Sequence, residues 1–255
     1  MKNLILSTLS DARLPDFSSR PEVDVFLHSA RTVPDADLVL LSDKLNRRIP
    51  HVVCPSSPNI VLDRWLFFYQ FLCATSYDQV LIVDSRDVYF QSNPFAFSNG
   101  RVILSGEGVL HKDSGWNATD QERSLASFGL SYDISAWPVV NGGVLMGPRA
   151  LVRDYCLLIY TNSRGSVTET DQAIIGRLWN TALKYNNDYT LADPHTDSFC
   201  ATGETLKQGK LATPVIFEEG FLKNLHGTPY ALFHQWERTE YRDAILASYT
   251  TRTHQ

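Results

Sequence analysis

Long apolar runs are missing from this 255-residue chain, and so are blocks of lysine and arginine. No uninterrupted apolar stretch approaches the length a helix needs to cross a bilayer, and the apolar part of residues 1–9 is too short for a signal peptide. With a formal net charge of -5 and no basic cluster, the chain lacks the electrostatic footprint of a phosphate-backbone binder, so nucleic acid is not an expected partner. Cysteine is scarce. Cys54, Cys73, Cys156 and Cys200 are dispersed without a CxxC pair, which argues against a thiolate metal centre and a dense disulfide framework. A reduced cytoplasmic protein is expected, with peripheral membrane contact left open, and Asn117-Ala118-Thr119 is then a chance match to the glycosylation pattern. Two nucleotide signatures are also missing: the P-loop Gly-x-x-x-x-Gly-Lys-Ser/Thr, and Gly-x-Gly-x-x-Gly after the first strand.

What is present is enough apolar residue, 44%, to build the core of one large domain. Short apolar runs recur at residues 4–6, 23–28, 51–53, 80–83 and 102–104, separated by helical patterns. A stretch over 59–75, apolar on most faces, reads as a buried helix. Strands alternating with helices predict an α/β fold with a mainly parallel sheet covered on both faces. Residues 1–110 read as a nucleotide-binding half and 111–249 as a second half within a single domain 1–249, followed by a polar tail 250–255. In the second half a polar segment covers 111–123. The Asn141-Gly142 pair between apolar runs signals a turn. Helices are expected over 149–160 and 170–183, the latter capped by Thr168 or Thr170 after a polar loop at 162–169. The pattern then weakens into short strands and loops.

Chemistry concentrates at Val80-Leu81-Ile82-Val83-Asp84-Ser85-Arg86-Asp87, an apolar strand that ends in two carboxylates. Ligands of open α/β sheets bind at the carboxyl ends of strands. Two close carboxylates repel unless a cation lies between them, and a divalent metal bound to diphosphate oxygens is such a cation. A simpler reading makes Asp84 and Asp87 turn residues paired with Arg86. Against it stand Asn141-Gly142-Gly143, Thr170-Asp171-Gln172 and His234-Gln235-Trp236, which follow in that order.

Taken together, Asp84-Ser85-Arg86-Asp87, Asn141-Gly142-Gly143-Val144, Asp171-Gln172 and the late His234 resemble the GT-A nucleotide-diphospho-sugar glycosyltransferases, especially branches whose metal shell is completed by a late histidine. The similarity in motif order runs to about Arg238. It implies a GT-A (Rossmann-like) fold, sugar transfer from a nucleotide-sugar donor, with uridine diphosphate the commonest carrier, to a carbohydrate or other hydroxyl-bearing acceptor, and a manganese or magnesium cofactor. The metal set it implies is Asp84, Asp87 and His234. The family signature has one residue between its acids and this chain has two, Ser85 and Arg86. By resemblance Asp87 bonds the metal directly and Asp84 contacts the metal or the donor ribose. His226 is the rival of His234, and Trp236 is read as packing.

The donor-binding set implied is Thr8, Arg64, Arg86, Asn141, Gly142 and Gly143, with Asn141 against a sugar hydroxyl and the glycines admitting the ligand. Arg64 either pairs with Asp63 or another acid, or it meets the donor diphosphate or braces Asp84. Arg86 either reaches a phosphate or orients the two acids, the second being preferred. Ser10, like Thr8, follows the first strand, and Glu107 either faces the crevice or occupies a turn. Asp171 and Gln172 would line the reaction centre: Asp171 holds the donor sugar or acts as base, and Gln172 lies near the anomeric carbon. This segment resembles retaining branches. A metal-dependent phosphotransferase or nucleotidyltransferase, and a nucleotide-sugar-binding module without turnover, are the competing expectations.

Overall fold

In the computed structural model, residues 1–10, 19–43, 51–164, 170–203, 206, 216–224 and 226–253 are described, the side chains of 250–253 excepted. Their strands are β1 (Asn3–Leu9), β2 (Ala36–Ser42), β3 (His51–Val53), β4 (Gln79–Val83), β5 (Val88–Phe90), β6 (Val102–Leu110), β7 (Pro138–Pro148), β8 (Tyr189–Ala192), β9 (Cys200–Thr202), β10 (Ile216–Glu218), β11 (Phe221–Lys223) and β12 (Leu232–His234). The principal helices are α1 (Pro21–Arg31), α2 (Ile60–Cys73), α3 (Gly115–Ser127), α4 (Arg149–Ser163), α5 (Asp171–Thr181) and α6 (Arg242–Thr253).

Seven strands form one mixed, mostly parallel sheet in the order β3-β2-β1-β4-β7-β6-β8. β7 pairs antiparallel with both β4 and β6, while the other pairs are parallel. The carboxyl ends of β1, β4, β6 and β8 therefore share one edge, where β7 begins. Strand alternation divides the core. Leu4, Leu6, Val80 and Ile82 face α2, α4 and α5, whereas Ile5, Leu81 and Val83 face α1 and the small sheet β5-β12-β9. With both faces covered, β4 is buried throughout, which is why it reads as an unbroken apolar run. β10 and β11 form a separate hairpin-like pair.

Several expectations are corrected. Residues 23–28 are helical, not a strand: Pro21 opens α1, acids occupy its first turn, and Val23, Phe26, Leu27 and Ala30 form its buried stripe. Burial of a side chain such as Phe26 contributes about 2 kcal/mol, enough to make tertiary packing decide between helix and strand. A strand outside the expected set, β2, carries the apolar run Leu38-Val39-Leu40-Leu41 beside β1. The polar segment 111–123 is largely helical because α3 buries Asp120, Gln121 and Ser124 as well as Leu125, a polar inner face that a hydrophobic pattern does not register. Asn141-Gly142 makes no turn and lies inside β7. Leu104 pairs with Leu145 and Gly106 with Val140, so two steps along β6 match five along β7. The Asn-Gly-Gly segment is thus a bulge in a continuing strand, held because β6 pairs with β7 on either side of it while β4 pairs with β7 from Val144 onward. α4 runs three residues beyond the expected 160, and α5 spans a slightly shorter range than 170–183. Thr170 occupies the N-cap position of α5, but its hydroxyl donates to Asp120 of α3 instead of capping the helix; Thr168 lies outside the described residues. α6 continues through Thr253 into the polar tail.

The four cysteines carry no disulfide; Cys73 is exposed and the others are buried. Among the described residues no helix is long and apolar enough to cross a membrane.

Candidate metal centre

Asp84 follows the last residue of β4, and its backbone N–H donates to the Gly143 carbonyl at 3.0 Å, extending the β4–β7 ladder by one bond. Asp87 comes immediately before β5. In the small sheet β12 pairs with β5 so that His234 lies opposite Val88. The segment 84–87 thus passes from the large sheet to the small one, and this register sets His234 beside both acids. Gln235 takes a left-handed conformation, φ 58°, and donates its N–H to the Asp87 carbonyl at 2.6 Å, which fixes the exit of the chain after the histidine.

His234 Nε2 stands 3.6 Å from Asp84 Oδ2 and 3.6 Å from Asp87 Oδ1. Ligand atoms of the three residues lie within 4.8 Å of one another. A distance of 3.6 Å is too long for a hydrogen bond. It suits two ligands of one small cation, whose ligand atoms at about 2.1 Å stand about 3 Å apart when adjacent and about 4 Å when opposite. His234 is 2% exposed, and neither ring nitrogen has a hydrogen-bond partner. Burying an imidazole with both nitrogens unsatisfied costs about 1–3 kcal/mol per group, and a coordinated ion relieves that cost at one of them. Two carboxylates and an imidazole form a donor set for a hard or borderline divalent cation. The residues present therefore fit a metal ion.

Arg64 of α2 connects this cluster to the start of α5. Its Nη1 donates to Asp84 Oδ1 at 2.5 Å, and its Nη2 and Nε donate to Asp171 Oδ2 at 2.7 and 3.2 Å. Trp65 Nε1 gives Asp171 Oδ2 another bond, 2.8 Å. Burial raises the Asp84 carboxyl by itself, but Arg64 and His234 outweigh it and hold the group well below its ordinary value. Asp171 lies deeper, and there burial prevails over Arg64 and shifts the carboxyl upward. For His234 burial acts downward, but the Asp87 and Asp84 carboxylates more than compensate and the net direction is up. Arg64, flanked by two carboxylates, is held even more firmly protonated than a free guanidinium despite its burial. The acids that Arg64 pairs with are Asp84 and Asp171, so acid pairing and the brace on Asp84 are one and the same contact.

The glycines of β7 admit these groups. A Cβ on Gly143 would stand 2.6 Å from His234 Cε1 and 2.7 Å from Asp84 Oδ2. A Cβ on Gly142 would meet Asp171 Oδ1 at 3.2 Å and Gln172 Cα at 3.3 Å. The expected close approach exists, but the chain's own side chains make it. Asn141 folds its Oδ1 back onto the Gly143 N–H at 2.8 Å and donates from Nδ2 to Glu107 at 3.1 Å. Gln172 Nε2 donates to the same Glu107 Oε1 at 2.9 Å and to Asn117 Oδ1 at 2.8 Å.

Other expected site residues lie further out. Arg86 donates to Asp87 Oδ2 at 3.4 Å and to Glu237 Oε1 at 3.2 Å, the orienting geometry. The Thr8 carbonyl accepts from Ser85 Oγ at 2.6 Å, and Ser7 Oγ donates to the Val83 carbonyl at 2.5 Å, which ties the end of β1 to the acidic segment. Ser10 donates to Asp43 at 2.6 Å. His226 lies exposed in a turn, outside the metal-capable group. Trp236 is fully buried in packing with Phe233 and Tyr230. Of the two readings open for Glu107, the turn is not found: it lies buried in β6 and carries the amide network. Two further partners, Glu237 three residues after His234 and Asn117 of α3, are not marked by the sequence pattern. Asn117 gave no usable signal, because α3 is recognisable only by its tertiary contacts.

The assembled site is therefore an acid-acid-imidazole cluster at the carboxyl edge of an α/β sheet, backed by an arginine brace and an amide network. No protein-family model matches the chain, and no curated protein matches it.

Proposed function

We propose that the chain is a metal-dependent glycosyltransferase of GT-A architecture, which transfers a sugar from a nucleotide diphosphate donor to an acceptor hydroxyl with retention at the anomeric carbon. The observation that carries this reading is the convergence of Asp84, Asp87 and His234 with the imidazole nitrogens buried and unsatisfied. Its position supports the reading too, since the carboxyl edge of an open sheet is where nucleotides bind. Manganese is the cofactor and uridine diphosphate the carrier in this proposal, both by the family resemblance.

Asp84, Asp87 and His234 would hold a divalent cation, which would supply positive charge for the diphosphate leaving group. The chain's own residues do the rest. Arg64 keeps Asp84 ionised and turned toward the cluster. Asp171, its Oδ2 held by Arg64 and Trp65, is a fixed acceptor suited to orienting a donor hydroxyl, while the proton of the acceptor hydroxyl passes to the departing diphosphate oxygen. Gln172 commits its amide hydrogens to Glu107 and Asn117, which leaves the carbonyl oxygen as the electron-rich end of the side chain. That dipole favours the positive charge that develops at the anomeric carbon.

The test is calorimetric titration of uridine and guanosine diphosphates and their sugars into the protein, with and without manganese, repeated on Asp87→Ala. Metal-dependent binding of one nucleotide, lost in the variant, is the expected result. Absence of nucleotide binding under every metal condition overturns the reading.

A further inference from the structure

A cavity of about 500 Å³ opens at the carboxyl ends of β6 and β8, on the edge that carries the metal cluster. Its size is that of a small-molecule site. It is formed by a second bulge: Gly106 pairs with Val140 and Leu110 with Pro138, so four steps of β6 match two of β7. Glu107, which holds Asn141 and Gln172, belongs to this bulge, and its neighbours Gly106, Gly108 and Val109 line the cavity. The cavity and the amide network are therefore two sides of one backbone feature.

The lining has a consistent chemistry. Val109, Leu110, Pro138 and Leu191 supply an apolar surface, and Asp113 and Asp193 supply carboxylates. No lysine or arginine is among the described lining residues. His195 Nε2 lies 2.8 Å from the Gly108 carbonyl, so that nitrogen is the protonated one and is committed to the backbone. The side chains thus offer acceptors and an apolar wall, with negative charge of one sign. The complementary ligand has an apolar face, donates hydrogen bonds and carries no negative charge. A pyranose ring meets all three conditions, with its C–H face and its hydroxyls.

The geometry points to this cavity as the acceptor site, selecting a neutral or amino-bearing glycoside and rejecting phosphorylated and uronic acid sugars. The inference rests on the transferase reading for the word acceptor, but its binding test needs neither metal nor nucleotide. Like-charge contact is the means of exclusion.

Saturation-transfer NMR on the full chain would use octyl β-glucoside, glucosamine, glucose 6-phosphate and glucuronate as probes. The uncharged and amino probes are expected to bind at least about tenfold more tightly than the anionic ones. Val109→Trp, which fills the cavity from a partly exposed position, should abolish that binding while circular dichroism stays native. Asp113→Lys, at an exposed position, should shift preference toward the two anionic probes, a gain that misfolding does not produce. Equal or tighter binding of anionic probes, no binding of any probe, or an unchanged preference in Asp113→Lys overturns the proposal. Sugar binding without metal-dependent nucleotide binding would retain the carbohydrate cavity and remove the transferase reading, whereas nucleotide binding with no sugar binding would do the reverse.

Discussion

Gly143 and His234 occupy one space: the imidazole fills the volume that a side chain at position 143 would need, with 2.6 Å between His234 Cε1 and the place of a Cβ. Asp84 presses on the same point at 2.7 Å. Gly143→Ala should therefore displace two ligands at once. Overpacking of this kind costs about 1–3 kcal/mol, and manganese affinity should fall sharply while the fold survives. Denaturant unfolding and metal titration on the same variant check both effects.

Arg64→Met should destabilise more than any single metal-ligand change. It leaves Asp171 buried with only Trp65 as a side-chain donor and removes the cation beside Asp84. Removing one partner of a buried ion pair costs about 3–5 kcal/mol. Arg64→Lys keeps the charge but cannot reach both acids with a fork, so it should recover only part of the loss. Urea midpoints of the three proteins give the order.

Glu107→Gln changes one atom in the centre of the amide network. The carboxylate accepts from Asn141, Gln172 and Asn117, whereas an amide turns an NH₂ toward some of those donors. A buried mismatch costs about 1–3 kcal/mol. If Gln172 works as proposed, turnover should fall with little change in nucleotide affinity, since the metal cluster is untouched. Steady-state kinetics set beside nucleotide titration separate the two parameters.

Helix α1 is tied to α6 by Arg242 Nη2 on Glu22 Oε1 at 2.8 Å. Burial pushes the Glu22 carboxyl up, but the bond to Arg242 outweighs it and the net shift is downward. A depressed carboxylate stabilises the fold above its unfolded value and loses that contribution as pH falls through the folded one. The stability difference between the wild type and Glu22→Gln should accordingly be present at neutral pH and vanish in acid. Arg242 is partly exposed, so the difference should stay below about 1 kcal/mol. Denaturation midpoints between pH 7 and pH 3 show whether it does.

Much of the site was legible from the chain because its signals are local. An apolar run that ends in acids marks a strand end whatever the rest of the protein does, and Asp84 and Asp87 stand there. Asp171 and Gln172 do open a helix, and the run at 59–75 is a helix too, though buried on one face alone, through Ile60, Leu62, Trp65, Phe68 and Leu72. The misreadings share a cause. Residues 23–28 carry apolar residues that suit either a strand or a helix, and only packing on β2 and β5 selects the helix. Asn141-Gly142 has the composition of a turn, but β6 pairs with β7 both before and after it and turns it into a bulge. In α3 the inner face is polar, so no hydrophobic period announces it.

The sequence by itself determined the α/β alternation and the carboxylates at a strand end, because each depends on residues close together in the chain. Tertiary structure alone decided that His234 and not His226 joins the acids, that Arg64 spans Asp84 and Asp171, and that Glu107 gathers the amides. Those contacts join residues from 20 to about 150 positions apart, and strand register and bulges, which no local pattern encodes, set which side chains meet.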